Sequence, residues 1–238
     1  MRLIITVTVM LLGLSPINAQ FGKKLLNKAK EVVGAESSGN IALGLKEALN
    51  IGVNDAVKSL SIENGYLESP YKILLPKEAL KITNKLSKVP GFQNVEKDLI
   101  SKMNQAAEIA AKKAGPIFLN SIKQMSFKDA TNILMGDDDA ATRFLEKTSR
   151  QALYKSFLPV IQESLDEVNA RSYWNDAINA YNKIPFTKNL NPELDDHVNN
   201  KALDGMFELV QVKEIGIRND TGLRTSPLLK EVFGKQDK

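Results

Sequence analysis

The sequence predicts an all-α protein: a single multi-helix bundle domain of about nine helices, preceded by a cleaved signal peptide and a short amphipathic helix. Three observations lead there. From residue 40 onward every long apolar pattern recurs at about 3.6 residues, the period that lines one face of a helix. No stretch alternates with period two, as a half-buried strand requires. Prolines, glycines and small polar residues stand where helices start and stop. No repeat at fixed spacing is evident, which argues against a solenoid.

Residues 1–19 carry one basic residue, Arg2, then an apolar run from Leu3 to Leu14, then Ser15-Pro16 and the small residue Ala19. That order is the pattern of a secretory signal peptide, with cleavage expected before Gln20. Twelve apolar residues span only about 18 Å as a helix, short of a bilayer core. No Cys follows to accept a lipid. Residues 20–39 are expected as a basic amphipathic helix and a flexible linker. Phe21, Leu25, Ala29, Val32 and Val33 share one face, Lys23, Lys24, Lys28 and Lys30 the others, and Gly34 to Gly39 reads as the tether. Such a helix can give weak contact with an anionic membrane surface.

The main domain is expected over 40–234, with 235–238 a disordered tail. Asn40 reads as the N-cap of a helix through Ile41, Leu45, Ala48, Leu49, Gly52, Ala56 and Leu60 that ends near Asn64-Gly65. Tyr66 to Leu75 is an extended connection closing at Pro76, which opens a short helix that stops at Pro90-Gly91. Phe92, Val95, Leu99, Met103, Ala106, Ala110 and Ala114 describe a long helix broken at Gly115-Pro116. Its alanine side lets a neighbouring backbone approach closely, which places it centrally.

Ser126 and Asp129 have capping-box spacing and open a helix ending at Gly136. Asp137-Asp138-Asp139 opens the next. Thr148 and Gln151 repeat the spacing before a helix through Leu153, Phe157, Ile161 and Leu165 that carries Pro159, where a bend is expected. Ser172 caps the segment with Trp174 and Tyr181. Asn191-Pro192-Glu193 and Ser226-Pro227 start the last two helices.

Several of these segments, in this order and spacing, resemble one bacterial exported family. They are Met103 to Glu108, Ile122 to Gly136, Ala140-Ala141-Thr142 with Thr148, Lys201 to Phe207, Ile217-Arg218 and Leu228 to Gly234. The family is catalogued as domain of unknown function 4197, and the likeness runs from about Ile41 to Gly234. It implies export and an all-helical fold, and it brings no activity. Where the family pattern has an aromatic this chain has His197, which argues against His197 as an essential base.

Composition narrows the chemistry. Among 238 residues there is no Cys and one His, so disulfides, thiolate nucleophiles, Cys-ligated metals and a Ser-His-Asp relay are set aside. The net charge of +4 is small and dispersed, giving no phosphate-tracking surface, and nucleic acid is not an expected partner. No metal site and no cofactor is expected. Three consecutive acids at 137–139 lack the alternation, central Gly and distal Glu of a calcium loop, and acids at a helix start are explained as caps. His197 beside Asp195 and Asp196 reads as a surface residue, because adjacent helical positions do not converge on one ion.

The candidate polar cluster comprises Asn104, Glu108, Asp129, Thr142, Arg143 and Arg218. Asn104 and Glu108 are four apart and share a face beside the alanine edge. If that edge is buried, Glu108 needs a partner, for which Arg143 and Arg218 are the candidates. The group serves either as a clasp holding helices in register or as an acid/base or ligand-binding pair. Tyr173, Trp174 and Tyr181 are possible pocket aromatics, with the core as the simpler place for Trp174 and Tyr181. The expected function is that of an exported, non-enzymatic binding or interaction module of the bacterial envelope, its partner an envelope protein or an apolar small ligand held between helices. The rivals are a carboxylate hydrolase built on Glu108, with Asp129 or another acid, and a peripheral membrane binder acting through residues 20–34.

Overall fold

The computed structural model describes residues 19–186, 194–234 and 237, with side chains from residue 39 onward except that of Glu78. The described residues form nine α-helices and no strand: α1 (Ala19–Leu60), α2 (Lys77–Leu86), α3 (Val95–Ala111), α4 (Ala114–Gln124), α5 (Phe127–Leu134), α6 (Ala140–Glu167), α7 (Ala170–Asn182), α8 (Leu194–Asn219) and α9 (Pro227–Gly234), with a single 3-10 turn at Thr221–Leu223. Residues up to Gly39 and residues from Asn40 onward are two separate units, and the body described below is the second. No described helix is long and apolar enough to cross a membrane. The signal segment up to residue 18, the side chains of Lys23, Lys24, Lys28 and Lys30, and the helix start at Asn191-Pro192-Glu193 lie outside the described residues.

Helix α6 is the hub. It packs against α8, α3 and α4, with α5 and α7 at its ends, and α3 in turn meets α2, α7 and α8. The side chains that fill this centre are Leu99 and Met103 of α3, Phe118 of α4, Leu145, Leu153, Phe157 and Ile161 of α6, and Val198, Leu203 and Met206 of α8, all fully buried. Each fully buried Leu, Phe or Met contributes roughly 1.5–3 kcal/mol relative to exposure. Phe118 meets Phe207 edge to face at 5.4 Å between centroids, the arrangement favoured by opposed ring quadrupoles. Ala106, Ala107, Ala110 and Ala111 are fully buried, so the short side of α3 lies in the interior as its composition requires.

Two glycines set close approaches. A Cβ on Gly44 of α1 would stand 2.5 Å from a methyl of Val232 on α9, and one on Gly205 of α8 would stand 2.9 Å from Tyr71 Cβ. The second brings the 61–76 connection against α8.

Local sequence chemistry sets several ends at atomic level. Ser126 and Asp129 form both halves of a capping box on α5, and the Ser226 hydroxyl accepts from Leu229 N–H at the start of α9. Pro76 stands at the N-cap of α2.

Elsewhere the structure differs from the sequence expectation. α1 runs without a break through 34–39, where the tether was expected, and Asn40 is therefore mid-helix rather than an N-cap. Gly34 and Gly39 are isolated, at a helix cost of about 1 kcal/mol each against Ala, and no proline stands between them. The two helices expected on either side of Thr148 are one 28-residue helix, α6, which also continues through Pro159. The Thr148 hydroxyl donates back to Phe144 O at 2.8 Å, a mid-helix bond that gives the residue no capping role. α7 starts at Asn169 rather than Ser172. Asn169 adopts φ 55°, a left-handed conformation that Asn tolerates better than most residues. Of the tail expected to be disordered, Asp237 is seated on Arg224.

Candidate functional site

Residues 61–76 leave α1 and reach α2 through a series of turns, with bonds such as Gly65 N–H to Ile62 O and Glu68 N–H to Asn64 O, and the buried backbone groups these turns leave over need outside partners. α3 supplies two. Asn104, fully buried, accepts from Ile73 N–H at 2.8 Å through Oδ1, and its Nδ2 donates to Ile73 O at 2.9 Å and to Ile100 O at 2.7 Å. Its amide therefore pairs with both backbone groups of Ile73 as a neighbouring strand would. One turn on, Glu108 Oε1 accepts from Tyr66 N–H at 3.1 Å and Leu67 N–H at 3.4 Å. Tyr66 is buried with its hydroxyl donating to Ala202 O at 2.7 Å, so the connection is pinned to α3 on one side and α8 on the other.

Burial pushes the Glu108 carboxyl above its ordinary range; the N–H groups of Tyr66, Leu67 and Asn64 oppose this, and the nearby Glu63 charge adds to it. Burial and the Glu108 charge likewise raise the Tyr66 phenol. A carboxyl whose folded affinity for protons exceeds its unfolded one adds stability below that window and loses it as pH rises through it. Glu108→Gln keeps an oxygen for both N–H groups and removes the buried charge. The variant is expected to be more stable than the parent at pH 7, the difference closing as pH falls through the carboxylate range. Thermal melts of both proteins across that range check it, and a gap that stays constant with pH refutes the account.

Neither Arg143 nor Arg218 partners Glu108, contrary to the expectation from sequence. Arg143 is exposed and pairs with Asp137 at 2.6 Å and Asp139 at 2.8 Å. Arg218 is buried in a second cluster with Glu214 and Thr142. Glu214 Oε1 accepts from Ala141 N–H at 2.9 Å, and Oε2 accepts from the amide and hydroxyl of Thr142 at 2.7 and 2.8 Å. Arg218 Nη2 stands 2.9 Å from Glu214, while its Nη1 and Nη2 donate to Leu134 O and Ile133 O, the last carbonyls of α5. One ion pair on α8 therefore closes the end of α5 and the start of α6, compensating the orphan groups and dipoles of both. The sequence analysis missed Glu214. Its signal was the Glu-to-Arg i, i+4 spacing flanked by the apolar Val210 and Ile217.

The remaining candidates lie apart. Asp129 sits in the α5 capping box, and its hydrogen bonds with Ser126 hold its carboxyl below the usual range. The three aspartates do not cap α6 with their side chains: Asp139 makes no cap bond, and Glu214 fills that role. Asp137 and Asp139 hold Arg143, and Asp138 accepts from Asn219. His197 is half-exposed with Nε2 2.8 Å from Leu74 O. Trp174 and Tyr181 are core residues of α7, whereas Tyr173 is half-buried, donating to Asp98 at 3.2 Å.

A concave surface lies between the pinned connection and α3. A cavity of about 330 Å³ lined by Ser61, Glu63, Asn64, Gln105, Glu108 and Lys112 adjoins one of about 590 Å³ lined by Glu68, Lys72, Gln93, Glu96 and Lys97, and the two share Leu67 and Ser101. Together they make one open trough along α3 of mixed character, its charged and amide side chains interspersed with Ile62, Leu67, Ile100 and Ile109, with Glu108 in its lining and no arginine there. By contrast, the apolar space between Leu49, Val210, Ile217 and Phe233 measures about 10 Å³, room for about one water.

A family model described as "Protein of unknown function (DUF4197)" matches residues 35–234. No curated protein and no solved structure matches the chain.

Proposed function

The chain belongs to the DUF4197 family of proteins of unknown function, and from that premise we propose that it is an exported, non-enzymatic binding module of the bacterial envelope whose trough on α3 takes an extended segment of a partner polypeptide. The observation that carries the reading is the continuity of the two cavities through Leu67 and Ser101, which gives an elongated site rather than an enclosed one. Its lining alternates Glu, Lys, Gln and Ser side chains with Ile62, Leu67, Ile100 and Ile109, which suits an extended polypeptide that offers both backbone hydrogen-bonding groups and side chains. The 10 Å³ apolar space has no room for an apolar molecule without displacing core side chains. Export rests on the basic, apolar and small-residue order of residues 1–19.

A second reading, carboxylate hydrolysis, has one observation in its favour: Glu63 and Glu108 line the same cavity. Asp129, named with Glu108 from sequence, is spent in the α5 capping box. Against the pair, Glu108 Oε1 is already committed to two backbone N–H groups that hold the trough wall.

A photo-crosslinking residue at Ser101, exposed and shared by both cavities, tests the proposal in cells of the native host, with the exposed Lys155 on α6 as control. A discrete polypeptide adduct at 101 and none at 155 is expected. No adduct at 101, or equal adducts at both, overturns the assignment of the trough.

A further inference from the structure

The two buried arginines near the end of α8 differ in one respect. Arg218 and Glu214 are a sealed pair, with side chains 4% and 6% exposed. Arg224 is equally buried, at 2%, but its carboxylate partner Asp237 is 45% exposed and lies beyond α9, three residues after Gly234. Arg224 Nε donates to Ile217 O at 3.0 Å and Nη2 to Arg218 O at 2.8 Å, two carbonyls of the last turns of α8. The opposite edge of the guanidinium is given wholly to Asp237: Nη1 donates to Oδ2 at 2.6 Å and Nη2 to Oδ1 at 2.7 Å, a bidentate fork. Of Asp237's own backbone, the N–H reaches back to Gly234 O at 3.4 Å.

We propose that Arg224 is a preformed carboxylate-receiving site, filled in this structure by the chain's own Asp237, and that an external carboxylate takes the slot when Asp237 is displaced. The argument is geometric. A guanidinium held by two α8 carbonyls at the negative end of a helix keeps its place and charge without Asp237. The carboxylate that completes it is reached from solvent. The fork geometry selects carboxylate over a spherical anion.

The test uses the full chain carrying Asp237→Asn. Its Tm is expected to fall by about 2–4 °C. Acetate is then expected to restore the melt saturably and to return the Arg224 Nε–H NMR signal to its parent position, while chloride at equal ionic strength does neither and the parent protein responds to neither salt. Arg224→Lys, which keeps the charge but has no fork, is expected to lose the acetate response. A variant with unchanged Tm and unchanged Arg224 signal shows that Asp237 is not seated, and acetate acting no differently from chloride shows that no receiving site exists; either result overturns the proposal.

Discussion

Glu214→Leu is expected to lower the unfolding free energy by about 3–5 kcal/mol, the cost of stranding one member of a buried ion pair. Three losses coincide at that position. Arg218, 4% exposed, keeps the carbonyls of Ile133 and Leu134 but loses its counter-charge. The amides of Ala141 and Thr142 lose the carboxylate that stands in for an N-cap, and the Thr142 hydroxyl loses its acceptor. Urea unfolding measures the effect. The double variant Glu214→Leu with Arg218→Met separates pairing from packing, since removing both charges leaves no uncompensated ion. It is expected to be more stable than Glu214→Leu alone. If Glu214→Leu unfolds within 1 kcal/mol of the parent, roughly the worth of an exposed pair, the cluster does not close α5 and α6 as described.

The second large effect is expected at Asn104. Asn104→Leu preserves approximate volume and strands the N–H and C=O of Ile73, at about 1–3 kcal/mol for each buried group left without a partner. The loss is both global and local, because the same two bonds fasten the connection that walls the trough. Urea unfolding is expected to report a loss of about 2–4 kcal/mol. Hydrogen exchange at the Ile73 amide is expected to accelerate more than exchange in α6, since local opening of the connection costs less than unfolding the body. Unchanged protection at Ile73 would mean that something other than Asn104 satisfies that backbone.

Much of the helical plan is written in short-range chemistry. The Ser126–Asp129 box and the Ser226 hydroxyl at α9 depend on residues three apart, so their signals are complete within the segment itself. The same reasoning misreads Thr148. A Thr with Gln three residues on satisfies the box pattern, but mid-helix its hydroxyl has the Phe144 carbonyl within reach, and the flanking apolar stripe keeps the helix going. The Gly34–Gly39 stretch fails for a related reason: glycine weakens a helix without terminating it. At the site, burial of Asn104, Glu108, Thr142 and Arg218 follows from their place beside apolar stripes, whereas their partners do not. Glu108 is answered by backbone of residues 66 and 67 rather than by an arginine.

The amino-acid pattern alone determined an all-helical body, the spacing of its buried faces and several helix ends, because a 3.6-residue period and a cap are properties of neighbours along the chain. It could not determine which charge answers which. Glu214 meets Thr142 across 72 residues of sequence and Asn104 meets Ile73 across 31, the latter bond holding the connection that borders the trough against α3. Such pairings are decided by the three-dimensional packing, since a buried donor or acceptor is satisfied by whatever group the assembled helices bring within hydrogen-bond reach.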